Sequence, residues 1–221
     1  NRGEYPYINQ KEKDFYFISR RKPENILQTI KDLCRERLPK FNCCDPIKEI
    51  QVLTPMKKGP VGMFHLNKEL QAILNPPGPE KQEKKLKDKI FRVGDKVMQI
   101  KNNYNLKWKK IDDQEEGEGI FNGDFGYIQA IDEEEKELVV LFDEEKQVHY
   151  DFSQLDELEL AYCITIHKSQ GSEFPIVILP VYWGPPMLLT RNLLYTAVTR
   201  AKELVVMVGQ EASLKGMVDN H

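Results

Sequence analysis

Residues 164–173 read I-T-I-H-K-S-Q-G-S-E, and further along residues 195–202 read Y-T-A-V-T-R-A-K. The first stretch gathers two hydroxyls, an imidazole, an ammonium, an amide, a glycine and a carboxylate around one turn. Its spacing predicts a helix carrying Ile164, His167 and Lys168 that runs into Gly171. On such a helix Thr165 and Ser169, four apart, share a face and can both donate to phosphates. Gly171 lets a backbone approach a ligand closely, and Glu173 follows where a ribose hydroxyl could be held. The same residues also describe an ordinary helix ended by glycine with a polar outer face.

Outward from this stretch the chain alternates apolar strands and helices. Residues 176–181 and 204–208 are continuous apolar runs, the pattern of strands buried on both faces. Between them Thr190 is placed to cap a helix carrying Leu193, Leu194, Ala197, Val198 and Ala201. These elements predict an α/β fold around a parallel sheet. Arg200 ends that helix beside the small residues Ala197 and Ala201. Its planar, permanently charged fork suits it to reach a phosphate across an interface, and equally to complement a helix C-terminus.

Upstream, Pro23 sets up a helix with Ile26, Ile30 and Leu33 at helical spacing. Residues 50–53 form a β-branched run ending at Thr54-Pro55, with Lys57, Lys58 and Gly59 in the following loop. Leu66, Leu70, Ile73 and Leu74 line one helical face, halted at Asn75-Pro76-Pro77. Residues 76–89, rich first in proline and then in lysine, show no packing face and are expected to be a mobile connector. Residues 93–100, 126–131, 137–142 and 147–152 are short strands separated by tight turns, which suggests a small barrel. The expected division is therefore 1–90 and 159–221 sharing one sheet, with 91–158 inserted. Tyr104, Lys107 and Trp108 offer either a basic aromatic surface or barrel packing. Tyr182 and Trp183 are expected to pack in the core or at its rim.

With 221 residues, 40% hydrophobic and 30% charged, the chain can bury a sizeable core. A net charge of −3 excludes a wholly basic nucleic-acid-binding shell but leaves room for a local basic groove. The acidic runs 112–118 and 132–137 suit solvated turns. No apolar run is long enough for a membrane helix, so no membrane partner is expected. Cys34, Cys43, Cys44 and Cys163 lack metal-ligand spacing and are expected as reduced thiols, with no metal site. No G-x-x-x-x-G-K-[ST] loop and no paired-acid motif occurs, so a candidate finger and a candidate ribose ligand stand without a phosphate cradle. The chain opens on Asn1 rather than Met, as expected of a segment of something longer.

T-I-H-K-S-Q-G-S-E-F (165–174) resembles helicase motif V of superfamily 1, in the H-K-S-Q-G form of the RecD, TraA and Pif1-like branch. L-L-Y-T-A-V-T-R-A-K (193–202) resembles motif VI, and Q-V-L-T-P-M-K-K-G (51–59) the motif IV region. L-N-K-E-L-Q-A-I-L-N-P (66–76), G-D-K-V-M-Q-I-K-N-N-Y (94–104) and F-N-G-D-F-G (121–126) resemble stretches flanking the small SH3-like insert of the RecD-like family. In family order, the resemblance runs from about Phe15 to Gly209. It implies the second RecA-like lobe of a DNA helicase, interrupted by an SH3-like β-barrel. It also implies a 5′→3′ translocase on single-stranded DNA, driven by ATP with Mg2+ held mainly by an N-terminal lobe. By this resemblance Arg200 is the arginine finger. Gly171, Glu173, Gln170 and Lys58 face the nucleotide, and Thr54, Thr165, His167, Lys168, Ser169, Asn103 and Tyr104 face DNA. Where the family places an arginine near motif IV, this chain has Lys57 and Lys58. Further implications are a cytoplasmic setting in DNA repair and recombination, with RecB/RecC-type partners as in exodeoxyribonuclease V. The alternatives are a non-catalytic nucleic-acid-binding module, and the equivalent lobe of a Pif1-like or relaxase-associated helicase.

Overall fold

The structure, a computed structural model, describes residues 3–5, 14–42 and 44–221; Cys43 lies outside the described residues. The chain begins with β1 (Phe15–Ser19) and α1 (Pro23–Asp32). Pro23 opens α1 where its missing N–H costs nothing. A π-helical turn, Leu33–Arg37, leads on into α2 (Leu38–Asn42), followed by β2 (Ile50–Thr54) and α3 (Met63–Leu74). Next come β3 (Glu83–Leu86), β4 (Lys89–Arg92), β5 (Lys96–Gln99), β6 (Asn103–Lys110), β7 (Glu116–Ile120) and β8 (Phe125–Asp132). After β9 (Glu137–Phe142), β10 (Lys146–Asp151) and β11 (Leu158–Leu160), the last elements are β12 (Cys163–Thr165), β13 (Phe174–Val181), α4 (Arg191–Val198), β14 (Ala201–Gly209) and α5 (Glu211–Asp219). Two compact units result, 1–74 with 163–221, and 75–162.

The first unit is built on a parallel sheet of strand order β1-β14-β13-β2-β12. Every residue of β2 and nearly every residue of β13 is buried, as continuous apolar runs covered by helices require. Helix α1 packs on β13 and β14, α3 on β12, and α4 and α5 on β13. Ile26, Ile30, Leu66 and Leu70 are wholly buried on the inward faces of α1 and α3, each contributing about 1.5–3 kcal/mol.

The predicted helix at 164–171 is absent. Cys163–Thr165 is instead a strand, and His167–Ser169 a short 3-10 turn. The run Cys-Ile-Thr is wholly apolar or β-branched, and its register against Val52, Leu53 and Thr54 wins over its local helical spacing. Thr165 and Ser169 therefore do not share a helix face.

The second unit is an antiparallel sheet of order β11-β5-β8-β9-β10-β6-β7, with a separate β3-β4 hairpin. Burial alternates along β9, as in a strand with one face on a core, here formed with Phe91, Val97, Ile120, Val148 and Tyr150. Register shifts between Ile128 and Ala130 and between Asn103 and Lys107 are the irregularities by which a small sheet bends.

Three expectations change here. The second half of the expected connector, from Glu83 on, enters the β3-β4 hairpin, whose Arg92 and Glu83 pair at 2.6 Å. Strands β6 and β7 escaped prediction because charged residues interrupt their alternation, and β7 absorbs part of the first acidic run. The unit runs from 75 to 162, wider than the expected 91–158, since both its ends are tied to one carboxylate. Asp95 Oδ1 accepts from Asn75 Nδ2 at 2.8 Å and from the Tyr162 hydroxyl at 2.7 Å, while Oδ2 accepts from Arg92 N.

Candidate nucleotide and nucleic-acid site

The two decisive stretches meet at the start of β13. Phe174 N donates to the Arg200 carbonyl at 2.8 Å, closing the turn that precedes β13 onto the turn that follows α4. Thr190 caps α4 as expected, accepting from Leu193 N at 3.2 Å. Arg200 lies beyond the helix rather than in it, because α4 ends at Val198 with Thr199 as its C-cap.

The Arg200 guanidinium is half-buried. Nη1 donates to the Ser172 carbonyl at 3.2 Å and Nη2 makes a weaker contact to Thr199 Oγ1 at 3.4 Å. Its Nε is buried without a hydrogen-bond partner among the described residues. A buried guanidinium N–H left unpaired is costly, so an acceptor at this fork would be stabilised. Ser172, which sequence reasoning passed over, thus sets the fork's orientation through its backbone; a carbonyl contact leaves no side-chain signal to read.

Beside it, Gly171 has φ +84, and an added Cβ would meet nothing within 4 Å. Gln170, Gly171 and Glu173 are exposed at this turn. Ser169 is wholly buried, donating to the Ile166 carbonyl at 2.6 Å, and its backbone carbonyl accepts from Ser172 N. The hydroxyl of Ser169 therefore shapes the turn that presents Gly171. Arg200 with the open backbone at Gly171 fits a nucleotide phosphate. Among the described residues no group of three or more His, Cys, Asp or Glu could hold a metal ion.

At the other end of the strands, Thr54 and Thr165 pair in register and are buried. Thr54 Oγ1 donates to the Val61 carbonyl at 2.9 Å and so braces the loop that exposes Lys57 and Lys58. His167 is exposed and Lys168 half-buried. Burial, and then the neighbouring Lys57 ammonium, hold Lys168 below the ordinary lysine pKa. In the second unit, Asn103 Nδ2 is engaged with the Glu157 carboxylate at 3.0 Å. Tyr104 is 67% exposed and meets Phe121 edge-on at 5.4 Å. Trp108 packs across its partner Gly117 with Lys146 over its ring, which favours the packing alternative.

Residues 66–142 match the family described as ATP-dependent RecD-like DNA helicase SH3 domain, and residues 160–208 the UvrD-like helicase C-terminal domain. The ATP-dependent RecD2 DNA helicase of Deinococcus radiodurans is 37% identical over 74% of this chain. The chain belongs to the RecD-like helicases. The RecBCD enzyme subunit RecD of Mycolicibacterium smegmatis is 31% identical over 78% of it. The chain spans 20% of the first relative's length and 27% of the second's. A crystal structure of Bacteroides Pif1 helicase in complex with ADP-AlF3 and ssDNA overlaps 90% of this chain and 51% of its own. Its identity is 19% and its TM-score 0.49. In this RecD-like chain the parallel-sheet unit holds nearly all of the C-terminal domain match, and most of the SH3 domain match falls on the inserted unit.

Proposed function

We propose that this chain is the C-terminal motor lobe of an ATP-dependent helicase that moves 5′→3′ on single-stranded DNA. The observation that carries this is Arg200, a half-buried arginine steered by the Ser172 carbonyl, with an unpartnered Nε, beside the open backbone of Gly171. Arg200 acts as the arginine finger, stabilising charge on the transferred phosphoryl group; such a finger contributes about 10³–10⁵ in rate. Glu173 and Gln170 contact the nucleotide; Lys58, expected there too, stands on the loop at the other end of the strands. Mg2+ and the phosphate cradle belong to an N-terminal lobe of the same parent protein. Closure of the two lobes on ATP and reopening after hydrolysis would alternate the grip on DNA.

The DNA backbone runs along the strand ends bearing His167 and Lys168; Tyr104, on the inserted unit, is proposed as a DNA contact of that unit alone. Thr54, Thr165 and Ser169 bond inward through their side chains or are buried, so they act by holding those loops. Within the inserted unit the Asn103 amide is engaged by Glu157 and so braces its own strand end. A cytoplasmic enzyme of DNA repair and recombination fits, with RecB/RecC-type subunits as partners.

DNA-stimulated ATP hydrolysis by this chain and by a longer protein containing it tests the proposal. The chain alone should show no turnover, and Arg200→Ala in the longer protein should abolish hydrolysis while single-stranded DNA affinity stays within about twofold. Turnover by the chain alone, or equal loss of hydrolysis and DNA binding, overturns it.

A further inference from the structure

Three neighbouring strands of the parallel sheet, β13, β2 and β12, end side by side, and each runs directly into a loop. The β2 loop exposes Lys57 and Lys58, and the β12 turn exposes His167 with Lys168 partly covered. The β13 loop exposes Trp183 at 77% and Met187 at 83%. These loops are joined. Ile166 N donates to the Thr54 carbonyl at 3.0 Å, and Gly184 is buried so tightly on Met56 that a Cβ would lie 2.9 Å from its sulfur. Carboxyl ends of parallel strands are where such sheets hold ligands.

The β13 loop is not a loose tail that happens to show an indole. Pro185 and Pro186 fix its backbone, and Leu188 N and Leu189 N close turns onto their carbonyls at 2.9 and 3.1 Å. Asn220 Nδ2 then clamps the Pro186 and Leu189 carbonyls at 2.7 and 2.9 Å. A braced loop that holds a tryptophan and a methionine in water forgoes the burial both would gain inside, which marks a contact surface. The cations on the two adjacent loops select a polyanion, and the indole selects one that also offers flat rings.

We infer that Trp183 is a base-stacking platform for single-stranded DNA, set beside the phosphate-binding cations Lys57 and Lys168. This rests on the proposed course of DNA past His167 and Lys168, and adds a contact to the bases where that reading has only contacts to the backbone. Stacking serves any sequence, because every base has a π-face. Met187 lies on the same loop, where its flexible thioether can fill the edge of the stack.

The chain has two tryptophans, so Trp108→Phe leaves Trp183 as the sole indole reporter. In that background oligo(dT) should quench the emission with the same midpoint as anisotropy of a labelled strand. Trp183→Ala should weaken oligo(dT) binding by about tenfold and Trp183→Phe by less than about threefold, and an abasic strand should lose the difference between them. Lys57→Gln and Lys168→Gln should each weaken binding and lower the salt slope by about 0.7. If the lysine variants behave so but Trp183→Ala binds as tightly as the parent, the stacking role fails and the DNA path stands. If neither the lysines nor Trp183 matters, or the chain binds no oligo(dT) at low salt, both fail. Tighter capture of oligo(U) than oligo(dT) overturns the assignment to DNA.

Discussion

Asn67 bonds both backbone groups of Cys163. Its amide nitrogen donates to the Cys163 carbonyl at 2.9 Å and its oxygen accepts from Cys163 N at 2.8 Å. Cys163 opens β12, an edge strand of the parallel sheet, and the side chain of α3 takes the place of a missing neighbour strand. At Cys163 the edge is thereby closed to pairing with another chain. It also fastens the sheet where the chain returns from the inserted unit to the segment it left at Leu74. Asn67→Leu should leave two buried backbone groups unpaired and cost roughly 2–4 kcal/mol, read as a lower urea midpoint. Asn67→Asp, which keeps an acceptor but loses the donor, should also destabilise. A midpoint within about 0.5 kcal/mol of the parent would remove this role.

The inserted unit has its own fastening at Asp95, wholly buried between its first residue, Asn75, and its last, Tyr162. Burial first, and then the Asp95 carboxylate, raise the Tyr162 pKa, so the hydroxyl stays a donor at all ordinary pH. Asp95→Asn replaces an acceptor by an amide that must face the Asn75 amide and the Arg92 N–H together. It should cost about 3 kcal/mol, and Tyr162→Phe about 1–2 kcal/mol. Trp108 emission in a Trp183→Phe background follows the unfolding of this unit. An unchanged midpoint for Asp95→Asn rules the node out as a structural tie.

How much of this was legible in sequence depends on where each residue's partner lies. The parallel-sheet unit could be read because β2, β13 and β14 are continuous apolar runs and Thr190 announces α4. The stretch at 164–171 misled because three residues are too few to set a period, and its register against β2 is a long-range fact. Strand β6 carries lysines on its exposed face and a tryptophan packed on a glycine, so neither apolar alternation nor aromatic count reveals it. At the site, residue types announced Arg200, Gly171 and the cations. What they do to one another runs through the Ser172 and Val61 carbonyls, which any residue would supply.

The buried thiols make alkaline stability testable. Burial, with a smaller contribution from Cys44, pushes Cys34 up to about 12, and burial with Cys34 beside it raises Cys163 well above its ordinary value. A raised acid pKa in the folded state stabilises below the unfolded value near 9 and loses that contribution as pH climbs from 9 towards 12. Each thiol then subtracts up to about 1.4 kcal/mol per pH unit in that window. Urea midpoints should be flat between pH 7 and 8 and fall above 9, and Cys34→Ala should flatten the fall. An aromatic disulfide reagent at pH 8 should leave Cys34 and Cys163 untouched until the chain unfolds. Rapid labelling of either in the native chain contradicts their burial.

Two glycines with positive φ separate a structural requirement from a functional one. At Gly209 (φ +153) a Cβ would lie 1.8 Å from the Val181 carbonyl oxygen, which is backbone and cannot turn aside. Gly209→Ala must therefore push β14 from β13 and should cost roughly 3 kcal/mol or more. Gly171, at φ +84, faces open space, so alanine there bears only the left-handed backbone penalty of about 1–2 kcal/mol. Its methyl group would stand where a phosphate is proposed to approach, beside the Arg200 fork. In a longer protein with both lobes, Gly171→Ala should keep the fold and single-stranded DNA affinity yet lower the rate of ATP hydrolysis by tenfold or more. If Gly171→Ala hydrolyses ATP at the parent rate, the space beside Gly171 is not the nucleotide's, and Arg200 must reach its phosphate from another side.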